Sequence, residues 1–183
     1  MKRFLLWLLG GLMLGGIIHI LIVLNLPALA EQTSWRRLAQ IDADNRLVVL
    51  EAPETGTANP LGLDPALLYG ICRVDLSQGP AYMSGTLPDA FWSLAIYDRE
   101  GIVTYATTNR DGIGRTLDVG VFNAAQTRQL AQQELDVEEG LLIVESSANE
   151  LYMLVRLAPY DEAVRPRFRE ALSQINCGVS TED

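Results

Sequence analysis

The chain reads as an α+β, β-rich protein: an antiparallel, sandwich-like domain with about two helices, preceded by one N-terminal transmembrane helix. Three observations predict this. The run from Phe4 to Leu26 contains no charged residue. After it come apolar and β-branched runs of strand length, punctuated by turn sequences. Two later stretches begin with residues that cap helices. The expected organisation is a signal-anchor span over 4–26, a juxtamembrane linker over 27–45, one exported domain over 46–178 and a tail over 179–183.

The apolar run is long enough for one helix to cross a hydrocarbon core of about 30 Å. A secretory signal is the competing account, because Lys2 and Arg3 form a basic start and Ala28-Leu29-Ala30 is an A-x-A site before Glu31. Length favours the uncleaved anchor, since a cleavable signal has an apolar stretch of roughly 7 to 15 residues. Lys2, Arg3 and the amino terminus on one flank nearly balance Arg36 and Arg37 on the other, so flanking charge is a weak guide to topology. The A-L-A site and the two cysteines both point to export of the domain.

Residues 31–183 carry 12 arginines against 23 acidic residues, a net of −11. A surface of that sign repels a phosphate backbone, so nucleic acid is excluded as a partner. Arg165, Arg167 and Arg169 alternate with other residues beside Asp161, Glu162 and Glu170, the pattern of a solvated helix face. The one histidine, His19, lies in the span. The domain therefore holds no Ser-His-Asp or Cys-His pair, no H-E-x-x-H zinc site and no imidazole base. Cys72 and Cys177 are too few for a four-cysteine site and are not a C-x-x-C. In an exported domain their simplest state is one disulfide closing a loop of about 100 residues and tying the last helix to an early strand. The alternative is two separate buried thiols. No cofactor and no metal site are expected.

Along the chain, Trp35, Arg36 and Arg37 suit the headgroup level of a membrane. Residues 46–50 (RLVVL) are a first short strand, and 51–65, rich in Pro, Gly, Thr and Asn, are an irregular connection. Tyr69 to Leu76, the turn Ser77-Gln78-Gly79-Pro80 and Ala81 to Leu87 read as a hairpin. Phe91 to Asp98 and Ile102 to Thr108 form a clearer one, because Asp98-Arg99-Glu100-Gly101 has the Asp-first, Gly-last signature of a type I turn. In its first strand Trp92, Leu94 and Ile96 share one face, and Phe91, Ser93, Ala95 and Tyr97 the other. Leu117 to Phe122 is a further strand, and Asn123 caps a helix over Ala124 to Leu135. Leu141 to Ser146 and Leu151 to Leu157 form a third hairpin pattern. A last helix runs from about Glu162 to Ile175, capped by Asp161, with Pro166 in its first turn.

The phrase from Leu87 to Gly101, LPDAFWSLAIYDREG, followed by Asn109-Arg110 and Arg115, resembles the F-W-S-L-x-x-Y-D-x-x-G segment of the uncharacterised domain families numbered 1254 and 1214. These are bacterial envelope proteins, and the resemblance implies a β-sandwich fold. The anchored layout is similar to the short bacterial membrane proteins of the 1254 family. The resemblance supplies no reaction.

Two candidate sites follow. Gly11, Gly15 and His19 recur every four residues and share a helical face; Gly11 and Gly15 form a G-x-x-x-G that allows close helix approach, and His19 is a polar group to be satisfied there. In the domain, Trp92, Tyr97, Tyr105, Asn109, Arg110 and Arg115 are the aromatic and guanidinium set for a pocket that takes an anionic or sugar-like ligand, the bland reading being a sheet core with a polar loop at its end. Carboxylates such as Asp75, Asp89, Asp98 and Asp111 could in principle pair for acid/base work, but nothing in the spacing brings two together. The resulting expectation is a single-pass protein of the bacterial inner membrane with its C-terminal domain in the periplasm. It acts as a non-catalytic binding or scaffolding domain whose partners are the membrane and a protein, or a second copy through the transmembrane helix. A carboxylate-dependent envelope hydrolase and a ligand-sensing domain are the alternatives.

Overall fold

Side-chain alternation and hydrogen bonding sort the strands into two stacked sheets. The computed structural model describes residues 2–51, 53, 56–110, 115–132 and 140–180. Helix α1 (Lys2–Ala39) precedes β1 (Val48–Leu50), β2 (Leu68–Asp75), β3 (Ala81–Thr86), β4 (Phe91–Asp98), β5 (Val103–Thr108) and β6 (Thr116–Asn123). Then follow α2 (Ala124–Gln132), β7 (Leu142–Ser146), β8 (Glu150–Ala158), a 3-10 turn (Glu162–Val164), α3 (Arg165–Ser173) and β9 (Asn176–Val179). The fold is α+β and sheet-rich, as expected. One sheet has the order β1-β2-β8-β4-β5 and the other β7-β6-β3-β9.

Of the three expected hairpins, only β4–β5 pairs as one, with Asp98 accepting from the Ile102 amide at 2.8 Å through Oδ1. The turn at 77–80 carries the chain from β2 in the first sheet to β3 in the second, and the turn after Ser146 carries it from β7 back to β8. A short turn suits a step between stacked sheets as well as a hairpin, so turn chemistry alone does not separate the two. Strand β8 instead pairs with β2 on one side and β4 on the other. The second sheet is not wholly antiparallel either. Strands β6 and β7 run parallel, which requires a crossover, and the segment containing α2 supplies it.

The inner faces meet in a core that includes Leu68, Val74, Trp92, Leu94, Met153 and Val119. Gly70 lets α3 close the end of this core: a Cβ there would stand 2.9 Å from Leu47 Cδ2 and 3.2 Å from Leu172 Cδ1. Both expected caps are in place. Asn123 Oδ1 accepts from the Ala125 and Gln126 amides at 3.0 Å, while Gln126 Oε1 accepts from the Asn123 amide at 2.8 Å. Asp161 Oδ1 accepts from the Ala163 amide at 2.8 Å, but it caps the 3-10 turn. The expected helix over 162–175 is α-helical only over Arg165–Ser173, with Pro166 in its first turn and no side-chain cap of its own. Positions 133–135 of the expected helix lie outside the described residues.

Cys72 and Cys177 form a disulfide. It links β2 to β9, and so one sheet to the other; the expected tie to the last helix becomes a tie to a short strand after it. That strand was hidden because Asn176–Val179 is only four residues long and follows the helix at once.

Helix α1 includes a window, Lys2–Leu26, long and apolar enough to cross a membrane, and none of it is buried against the domain. The helix continues to Ala39, so residues 27–39 of the expected 27–45 linker are helical and only 40–45 connect it to the domain.

Candidate functional site

Solvent-facing positions of an antiparallel sheet are usually polar, but the outer face of the five-stranded sheet is not. Tyr69, Ile71 and Ala95 on this face are buried; the end of α1 and the loop around Pro60 meet Ile71 at one cleft, and the Asp64 amide donates to the Tyr69 hydroxyl at 2.9 Å. Trp35 meets Tyr152 with ring centroids 6.1 Å apart, and Tyr152 stacks on Tyr97 at 4.9 Å with the planes 10° apart. Arg156 Nη2 donates to the Tyr97 hydroxyl at 2.8 Å, and Arg37 donates to the Pro60 carbonyl. Burial, followed by the neighbouring Tyr97 and Asp98, pushes the Tyr152 hydroxyl above its ordinary pKa. A cleft of about 260 Å³ remains between the cover and the sheet, with Leu38, Leu61, Ile71, Tyr97, Tyr152 and Leu154 among its walls. Its chemistry suits an apolar group.

A second, polar cleft of about 380 Å³ lies beside it, lined in part by Trp35, Asp44, Arg73, Asp75 and Glu150. Arg73 Nη2 donates to Asp44 Oδ2 at 2.6 Å, and Nε to the other carboxylate oxygen. This bidentate hydrogen bond holds the Asp44 carboxyl below the usual range and raises Arg73. The Ser77 hydroxyl, then the Ser77 amide, lower Asp75 in the same way. Both carboxylates are thus held ionised, whereas a general acid near neutral pH needs its pKa raised.

Of the six residues expected to share a pocket, Trp92 and Tyr105 line one cleft, and Tyr97, Asn109, Arg110 and Arg115 do not line it. Trp92, 2 % exposed, points into the core, where with Tyr105, Thr107, Leu117 and Leu142 it borders a separate cleft of about 300 Å³. Tyr97 lies on the opposite face of the same strand. The Asn109 amide donates to the Trp92 carbonyl at 3.2 Å and its Nδ2 to Ala90 at 3.3 Å; its Oδ1 is buried without a hydrogen-bond partner among the described residues. Arg115 Nε donates to the Leu87 carbonyl at 3.3 Å, joining the end of β3 to the start of β6. Arg110 is exposed. These polar residues tie strand ends together. Of the carboxylates, Asp75 and Asp98 hold turns, Asp89 is exposed and Asp111 lies outside the described residues. Gly11 and Gly15 stand open on α1, since a Cβ at either would meet nothing within 4 Å, and His19 is exposed on the same helix.

The Trp35–Tyr152–Tyr97 stack escaped the sequence reading. The alternation of Tyr152, Leu154 and Arg156 with buried Leu151, Met153 and Val155 was visible, but that β8 lies beside β4 was not.

No protein-family model matches the chain, and no curated protein is similar to it in sequence. Among solved structures, a protein from Vibrio parahaemolyticus is similar over 65% of this chain, with a TM-score of 0.52 and 13% identity. An uncharacterised protein from Burkholderia cenocepacia is similar over 83%, with a TM-score of 0.48 and 13% identity. This chain spans 29% of the first protein and 41% of the second. The likeness to the Vibrio protein shows a shared fold.

Proposed function

We propose that this is a single-pass protein of the bacterial inner membrane whose periplasmic domain binds an envelope partner without catalysing a reaction. The observation that carries the proposal is the docking of the apolar helix, through Trp35, on the outer face of the sheet, beside a largely apolar cleft. A domain seated in this way on its own anchor is suited to presenting a fixed surface near the bilayer. The disulfide favours an oxidising compartment, and the net negative charge disfavours nucleic acid as a partner. The resemblance of residues 87–101 to the 1254 family fits an envelope location. A carboxylate-dependent hydrolase has less support, because Asp75 and Asp98 already serve turns. The ligand-sensing alternative is favoured by one feature, the Tyr97–Tyr152 cleft, in place of the pocket expected around Trp92.

Crosslinking of the full-length protein in intact cells, with identification of what is attached, tests the proposal. Recovery of one specific envelope protein supports it, and recovery of none moves the function to a small ligand. A C-terminal alkaline phosphatase fusion that is inactive, with both cysteines reduced, would place the domain in the cytoplasm and refute the location.

A further inference from the structure

The five-stranded sheet ends at β5, whose far side has no strand neighbour among the described residues. Exposed edges are normally protected by brevity, charge, proline or a bulge. Strand β1 has three residues, β9 has four, and β7 carries exposed Glu145. Strand β5 has six residues, VTYATT, with neither charge nor proline. Val103 is 50% exposed and the preceding Ile102 63%. Among the described residues its one protective device is a bulge opposite Ile96 and Tyr97, near its first residue, and from Tyr105 onward the ladder to β4 is regular. Because the Asn109 amide bonds to Trp92, alternation turns the backbone groups of Tyr105 and Thr107 towards β4 and those of Ala106 outward.

We propose that β5 pairs antiparallel with β5 of a second copy of this chain, joining two five-stranded sheets into one across a two-fold axis. Three features select a second copy. An antiparallel pair has its two-fold axis perpendicular to the sheet, so both outer faces stay on the same side. The ends of both α1 helices, seated on those faces through Trp35 and Tyr152, then leave from the same side, as two anchors in one bilayer must. Antiparallel pairing about the middle of the strand also sets the exposed Glu100 end of one copy against the exposed Arg110 end of the other, while Arg99 is held by Glu150 at 3.0 Å. Finally, a domain with a net charge of −11 approaches its own copy at least cost along an uncharged stretch. The anchored reading enters only in the orientation of the two copies; the pairing itself stands on the edge strand.

The test places a photo-crosslinking amino acid at Ile102 in the full-length protein, mixes isotopically light and heavy copies in detergent micelles and in phospholipid nanodiscs, and maps the linked peptides. Light-to-heavy crosslinks between segments 100–110 are expected in both media. Ala106→Pro, which removes an outward amide, and Val103→Lys, which puts a charge at the seam, are each expected to lower the yield about tenfold. Val103 is half-exposed, so Val103→Lys carries the test where Ala106→Pro fails to fold. Gly11→Ile with Gly15→Ile is expected to leave the β5 crosslink in place. Absence of light-to-heavy crosslinks at β5, or a yield that the helix variant abolishes and Val103→Lys leaves unchanged, would overturn the proposal. Neither result bears on whether the domain captures an envelope partner, which the in-cell experiment reads separately.

Discussion

Trp35 on the last turns of α1 packs on Tyr152 of β8, with their rings inclined at 50° and their centroids 6.1 Å apart. Tyr152 in turn stacks on Tyr97, so two strands and the apolar helix meet in one aromatic column. Tyr152→Ala removes both contacts. It is expected to cost about 1–2 kcal/mol and to free the end of α1. Hydrogen exchange read by mass spectrometry should show faster exchange over residues 35–39 with little change in β3 and β6; unchanged exchange at 35–39 would mean that the stack does not hold the helix.

The disulfide joins sheets rather than neighbouring strands and spans 105 residues of sequence. In the chain-entropy model a loop of that length contributes about 4–5 kcal/mol by restricting the unfolded chain. Reduction, or Cys72→Ala with Cys177→Ala, should therefore lower the denaturant midpoint strongly with little change in the native circular dichroism. Equal midpoints with and without reductant would contradict this.

Trp92 and Tyr97 sit on one strand but do different work. Trp92→Ala opens the core and is expected to cost about 3–5 kcal/mol. Tyr97→Phe, which deletes only the hydroxyl that accepts from Arg156, is expected to cost about 1 kcal/mol. Thermal unfolding of the two variants checks the contrast. Comparable midpoints would return Trp92 to the role of an exposed pocket wall.

Asp44 and Asp75 have depressed folded-state pKa values, the first through Arg73 and the second through Ser77. Each contributes stability that is fully present above the ordinary aspartate value of about 3.9 and is lost as pH falls through the lower folded value. Asp44 is exposed and Asp75 is half-buried at the end of β2, so solvent screening keeps the effect small, and protonation elsewhere relieves the acidic self-repulsion in the opposite direction. The informative quantity is a difference: Asp75→Asn should be less stable than the native chain at pH 7, with the gap closing at low pH. Urea midpoints from pH 7 to about 2 measure it. A gap that widens on acidification would show that the Ser77 bonds do not favour the charged form.

Much of the local architecture is legible in the sequence. The uncharged run to Leu26, the Asp98–Gly101 turn and its hairpin, and the caps Asn123 and Asp161 depend on neighbours a few residues away, which propensity and capping describe well. The alternation in Phe91–Asp98 even separates Trp92 from Tyr97, so two opposite faces were already implied where one pocket had been expected. The single histidine at position 19 likewise excludes imidazole chemistry from the domain without any structure.

What only the tertiary structure decided is which distant segments meet. The period of two tells which residues share a face but not which strand lies alongside, and a four-residue turn serves a hairpin or a step between sheets equally. The pairing of β8 with β2 and β4, the crossing from β2 to β3, and β9 with its Cys177 therefore emerged from long-range burial, in which two apolar faces close on each other. The same packing seats Trp35 on Tyr152. By itself the sequence determined a chain with one membrane-length apolar helix and an acidic, β-rich domain; folding determined where that helix ends on the domain and which strand is left at the edge.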